Sequence, residues 1–159
     1  MKLRENEKNL GHIRFTGDDI SIAAKMLDKI STTMEIIYYL MTRGEERAFV
    51  IMLLSVQCEE TAQMLSNEKR DTDMLFEIDA HKGIYTIICQ DTKVDGGYRF
   101  AERIMKKLKD KDAKDVYLTE LEVRTTKHNI KYVIFKLIEM YIKSKIDKKE
   151  QEIVFNSLH

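Results

Sequence analysis

Arg70, Asp73 and Arg103 are the side chains of this sequence whose types and placement point most directly to ligand chemistry. A carboxylate accepts paired hydrogen bonds from the N–H donors on the edge of a guanine. Arginine donates bidentately to phosphate or to guanine O6 and N7, and its flat face stacks on a purine. Arg70 and Asp73 stand at the start of an apolar run, Met74 to Ile78, and a second run, Ile84 to Cys89, follows the loop Asp79-Ala80-His81-Lys82-Gly83. Short β-prone runs around a loop with Asp and Gly predict a hairpin. From Tyr98 to Leu108 the spacing becomes helical, with Phe100, Ala101, Ile104 and Leu108 on one face and Arg103 about two turns in. A hairpin with a returning helix can bring the three side chains to one surface. Taken alone, an Arg and an Asp at this spacing in a charge-rich chain also fit a plain surface corner.

The elements that must position these residues fit one domain of 159 residues, long enough for a real core. Lys and Arg balance Asp and Glu at 27 each, so no long-range field favours nucleic acid or an anionic membrane. The sequence has no Pro and few Gly, which suits an ordered, helix-rich α+β protein. Cys58 and Cys89 share no spacing with each other or with histidines and read as reduced, packed thiols. His12, His81, His128 and His159 are scattered and suggest no metal set. The opening MKLRENEKNL carries no apolar signal core, and Arg43-Gly44-Glu45-Glu46-Arg47 breaks the longest apolar runs. A cytoplasmic protein without direct membrane insertion is expected.

In order, residues 1–17 read as a polar arm and 18–159 as a single domain whose leading helix spans 18–42. Thr16-Gly17-Asp18-Asp19 starts that helix as a capping residue with acids in the first turn. Its apolar residues keep a heptad rhythm, Ile20, Leu27, Met34 and Met41 on one position and Ala23, Ile30 and Ile37 on the other. The stripe packs on the domain's own sheet or forms a helical dimer contact. Ala48 to Val56 is a continuous apolar run suited to a central strand covered on both faces. Glu59 to Asn67 predicts a short helix, Val116 to Val123 a strand, Asn129 to Lys145 an amphipathic helix, and Glu152 to Phe155 an edge strand. The order α-β-α-β-β-α-β-α-β implies a ferredoxin-like sheet with helices on one face, extended at the front.

The stretch from Arg70 to Arg103 resembles the second half of a GGDEF domain, the fold of diguanylate cyclases. Arg70-Asp71-Thr72-Asp73 fits the RxxD motif that precedes the signature hairpin in many members, and Ala101-Glu102-Arg103-Ile104 fits their following helix. Gln90-Asp91-Thr92 stands where that family often has Pro-Asp-Thr. The hairpin departs from the pattern, with DAHKG in place of GGDEF and two extra residues between the strands. The resemblance runs from about residue 46 to 157 and is weak outside this stretch. It implies a bacterial signalling domain whose Arg70, Asp73 and Arg103 form a product-binding site for cyclic di-GMP.

The same resemblance implies that catalysis is lost. Diguanylate cyclases hold divalent metal with a carboxylate at the end of the first strand and acids of the hairpin, which organises the triphosphate. Here that strand ends in Leu54-Ser55-Val56-Gln57, and Asp79 is the one acid in the turn. Only Cys58 to Lys69 separates the strands where the family's guanine-reading loop would lie. Glu59-Glu60 reads as a pair of acids at a helix start rather than as metal ligands. Gly96-Gly97-Tyr98-Arg99-Phe100 superficially matches the signature but joins no two strands, and reads as a loop with a flexible helix start. A non-catalytic cyclic di-GMP receptor, degenerate in the manner of PelD-type receptors, is the leading expectation, with no cofactor and no metal. The alternative is a ligand-free adaptor that dimerises or holds a protein partner through the first helix, where Met26, Met34 and Met41 either fill core or form an adaptable surface. His81 and Lys82 in the turn, and Lys143, Lys145, Lys148 and Lys149 near the end, fit solvated positions as well as phosphate contacts.

Overall fold

The computed structural model describes residues 13–159. Most of the expected polar arm therefore lies outside the described residues; Ile13 and Phe15, at its end, pack against the core. Helix α1, Gly17–Thr42, begins at a reciprocal cap in which Asp19 N–H donates to Thr16 Oγ1 (3.2 Å) and Thr16 N–H to Asp19 Oδ2 (2.8 Å). It ends at Arg43, and Gly44 follows with φ +78°. Strand β1, Phe49–Gln57, precedes the short helix α2, Thr61–Glu68. The hairpin β2, Asp73–Asp79, and β3, Ile84–Gln90, leads into helix α3, Val94–Asp110. Strand β4, Lys114–Val123, helix α4, Ile130–Ile146, and strand β5, Ile153–Leu158, complete the chain.

The sheet runs β2-β3-β1-β4-β5, antiparallel throughout except for the parallel pair β4 and β5. Its central strand is β1, as the unbroken apolar run required. Phe49, Ile51 and Leu53 face a cluster built with α1 and α4, whereas Val50, Met52, Leu54 and Val56 face one built with α2 and α3. Helices thus cover both faces, which corrects the one-faced arrangement expected from element order. The physical reason is the β1 composition itself, because one solvated face would have exposed four large apolar side chains.

Most of the heptad stripe of α1 packs inside the domain, with Ala23, Ile30, Met34 and Ile37 buried, Leu27 and Met41 partly buried and Ile20 exposed. Met26, Ile30 and Met34 are fully buried and Ile37 nearly so, each stabilising the fold by roughly 1.5–3 kcal/mol relative to exposure. Ile20, Ile36 and Tyr39 are the large apolar residues of α1 left exposed. Two helix starts differ from the sequence reading. Helix α2 begins at Thr61, after Glu60 in a left-handed conformation, so Glu59 and Glu60 precede it. Helix α3 begins at Val94, four residues before the expected start, and takes Gly96 and Gly97 into its first turns. Glycine is a poor helix former, which hid this start. Gly97 is there because the helix touches the sheet: a Cβ on it would stand 2.7 Å from Glu120 Oε2 and 3.0 Å from Val50.

Candidate functional site

Arg70 closes the corner between α2 and β2. Its backbone N–H donates to Asp73 Oδ2 (2.8 Å), and Asp73 N–H donates back to Arg70 O (3.0 Å). The guanidinium then lies along the same carboxylate, Nε on Oδ1 (3.1 Å) and Oδ2 (3.2 Å) and Nη2 on Oδ1 (2.8 Å). Nη2 also reaches Gln90 O (2.9 Å) and Thr92 Oγ1 (2.7 Å), tying the corner to the end of β3. Gln90 answers with a side-chain hydrogen bond to Thr72 O (2.8 Å). The Asp73 side chain is 2% exposed and that of Arg70 52%. Both oxygens of Asp73 are therefore committed to Arg70, and the charge that faces outward is the arginine's. The hydrogen bond to Asp73 raises the guanidinium pKa further, with burial opposing, so Arg70 stays a fixed cation.

Arg70 borders an open hollow of about 620 Å³, whose other cationic walls are Arg47 before β1 and Lys93 and Arg99 at the start of α3. Thr92, which accepts from Arg70, lines it as well and is held to the residue before β1 by its N–H on Ala48 O (3.2 Å). Glu45, Asp91 and Asp95 supply anionic counterparts on the rim. Helix α3 has Lys93 at its N-cap and no side-chain cap of its own. Its first amide, Val94 N–H, is instead taken by Glu122 Oε2 (2.7 Å) from β4.

Of the three residues picked from the sequence, the structure brings Arg70 and Asp73 into direct contact. Arg103 is not among the hollow's lining residues. It lies one turn beyond Arg99 on the exposed side of α3, its guanidinium 5.1 Å from the centre of the Phe100 ring. Arg99 and Arg47 were missed. Arg99 sits inside the GGYRF stretch set aside as a loop, and the four-residue spacing from Arg99 to Arg103 was the available signal once the helix is extended to Val94.

Three buried acids beneath the hollow and α3 were also missed. Glu46 is 6% exposed and takes the Asp91 N–H on Oε1; burial raises its pKa, with that hydrogen bond opposing and the Asp91 charge adding a smaller push. Glu120 and Glu122 are 2% and 1% exposed. Both share the parity of Val116 and Leu118 along β4, so strand alternation alone places them on an inner face. Cys89 lies in the same region, with its thiol pKa pushed well up by burial and then by Asp73. Such a thiol is inert at neutral pH.

The end of β1 and the hairpin turn, where a metal site was expected to be lost, lie at the opposite end of the sheet. Ser55, Gln57, His81 and Lys82 line a hollow of about 870 Å³ there, closed by Thr16, Asp18 and Asp19 of the α1 start and by Lys145 of α4. Asp79 is the acid of the turn, and its oxygens are taken: Oδ2 by Lys25 Nζ (2.7 Å) and Oδ1 by Lys82 N–H (3.0 Å). Lys82 in turn lies 3.5 Å from Asp18, and Lys29 Nζ caps Glu77 O (2.6 Å). Among the described residues no cluster of three or more His, Cys, Asp or Glu is placed to hold a metal ion. Asp79 is paired to a lysine, Asp18 lies against Lys82 and Asp19 caps its own helix, so the acids at this end do not converge as a hard cation that takes six or more oxygens requires.

No protein-family model and no curated protein matches the sequence. Solved structures do match the fold. The active GGEEF domain of a diguanylate cyclase from Vibrio cholerae aligns with a TM-score of 0.65 at 10% identity, over 82% of this chain and 96% of that one. The GGDEF domain of DgcB from Caulobacter crescentus, in complex with c-di-GMP, aligns with a TM-score of 0.63 at 6% identity, over 79% and 85%. Diguanylate cyclase SiaD from Pseudomonas aeruginosa, in complex with its activator SiaC, aligns with a TM-score of 0.61 at 14% identity, over 98% and 66%. The fold is thus GGDEF-like, as the hairpin stretch indicated. No helix among the described residues is long and apolar enough to cross a membrane.

Proposed function

We propose that this domain is a non-catalytic regulatory receptor for cyclic di-GMP. The observation that carries the reading is the half-exposed guanidinium of Arg70, fixed by Asp73 at the wall of a hollow that Arg47, Lys93 and Arg99 also line. A cyclic dinucleotide presents two phosphates and two purine faces, and immobilised guanidinium groups suit both by bidentate donation and stacking. Asp73 acts here by holding Arg70, since its oxygens are occupied. Arg103 takes part from the outer rim, one turn beyond Arg99. The absence of GTP-dependent chemistry follows in this reading from Ser55 and Gln57 at the end of β1 and from the pairing of Asp79 with Lys25.

Calorimetry with cyclic di-GMP on the wild type and on Arg70→Ala tests the proposal. Heat with the wild type that the variant lacks supports it, and no heat with either leaves the adaptor reading. That second reading draws on Ile20, Ile36 and Tyr39, exposed at 57–59% along α1. Sedimentation would show it as a dimer lost on Ile36→Asp. Product formed from GTP and magnesium would overturn the non-catalytic assignment.

A further inference from the structure

Glu120 and Gly97 meet where α3 rests on β4. The carboxyl group is 2% exposed, and neither oxygen has a hydrogen-bond partner among the described residues. In the sheet it lies in the row Leu75, Ile87, Met52, Glu120, Phe155, so its neighbours across the strands are apolar. The row on one side, Glu77, Tyr85, Leu54, Leu118, Ile153, holds an exposed acid and a buried phenol, and the row on the other, Asp73, Cys89, Val50, Glu122, Ser157, holds two acids and a thiol. Of these, Asp73 is paired with Arg70, and Glu122 accepts from Val94 N–H and from the Ser157 hydroxyl. Cys89 is a buried thiol. From α3 the carboxyl meets the backbone at Gly97, while the adjacent Tyr98 turns its ring to Phe155 on β5, 5.5 Å away. No cation lies within ion-pair distance of its oxygens among the described residues.

A buried carboxylate with no donor and another acid beside it is a costly state, whereas a neutral carboxyl is tolerable. Burial accordingly pushes the Glu120 pKa up to about 8. Gly97 makes the contact close: any side chain there would collide with Oε2. The turn that rests on this carboxyl carries Lys93, Asp95, Gly96 and Arg99, the share of α3 in the hollow.

We propose that Glu120 is a proton-operated seat for the first turns of α3. Holding its proton, it lets Gly97 lie against the sheet; releasing it to water, it drives the turn outward to hydrate the carboxylate, and the helix wall of the hollow moves with it. The device is independent of what the hollow binds.

The test is a carboxyl-carbon NMR titration of the full chain together with amide hydrogen exchange between about pH 5 and 9. A seated neutral acid with a solvated open form near the ordinary Glu value of ~4.3 makes opening tenfold more frequent per pH unit until the seated value is reached. Residues 94–101 of the wild type should show that slope after correction for intrinsic exchange, levelling above about pH 8, and Glu120→Gln should be flat. The Glu120 resonance should titrate near 8. A midpoint near ~4.3, or equal slopes in the two proteins, overturns the proposal. So does a slope shared by the amides of β1, which would mean global unfolding rather than a local seat. Should Glu120→Gln fail to fold, the wild-type titration and the comparison with β1 decide alone.

Discussion

Arg70 and Asp73 form a pair that is buried at one end and open at the other: the carboxylate is 2% exposed and the guanidinium side chain 52%. The buried partner thus holds the exposed one, so the two residues should fail differently when changed. Asp73→Asn removes charge-assisted acceptors from a buried position and should lower stability by about 1–3 kcal/mol. Arg70→Lys keeps the charge but loses the forked geometry. It should cost at most about 1 kcal/mol of stability yet weaken the proposed cyclic di-GMP binding at least tenfold. Calorimetric melting paired with ligand titration separates the two; equal behaviour in both measurements would mean that the pair acts only as a corner brace.

Arg99 lines the hollow that Arg70 borders, and Arg103 lies a turn beyond it against Phe100. Arg99→Ala should therefore weaken the proposed cyclic di-GMP binding by about 1.5–3 kcal/mol, the range for a hydrogen bond to a charged group. Arg103→Ala should cost less, since its guanidinium is already stacked on a ring. Isothermal titration of both variants at one salt concentration is the check, and the reverse order would move the site outward along α3.

How far the sequence exposed this architecture depends on whether local pattern and tertiary demand agreed. The hairpin was readable because two short β-prone runs, Asp79 and Gly83 all favour it locally. The RxxD corner was readable for the same reason, its contacts being three residues apart. Helix α3 started earlier than its spacing showed, because Gly97 serves the approach to Glu120 and Val50 and not helix propensity. Arg47 and Arg99 reach one hollow only through the pairing of β1 with β3, a relation between segments that periodicity does not contain. Glu120 and Glu122 carried a parity signal, but charged residues are ordinarily assigned to the outside.

Gly83 has φ +68°, and a Cβ there would stand 2.1 Å from the Val56 carbonyl oxygen. The turn is pinned to β1 at this point, with Val56 N–H donating to Gly83 O (3.0 Å). Gly83→Ala combines a left-handed backbone penalty of about 1–2 kcal/mol with a collision against backbone that has no rotamer to yield. A loss of at least that size in denaturant unfolding is expected, together with faster exchange of the hairpin amides. A neutral substitution would show that the turn detaches from β1 freely.

Lys25 and Asp79 join α1 to the far end of β2, the strand that begins at Asp73. The Lys25 hydrogen bond, and then that of the Lys82 N–H, lowers the Asp79 pKa below its ordinary value of 3.8. A carboxyl depressed on folding contributes stability that is complete above the unfolded value and disappears as pH falls through the folded one. The contribution of Asp79 should therefore be constant from neutral pH down to about 4–5 and fade below that. Lys25 is 44% exposed, so solvent screening limits the pair to at most about 1 kcal/mol at pH 7, less at high salt. A double-mutant cycle with Lys25→Met and Asp79→Asn, run by thermal unfolding at pH 7 and pH 3, measures it. A coupling that persists undiminished at pH 3 would mean that packing of the lysine stem, not charge, fixes α1 against the hairpin.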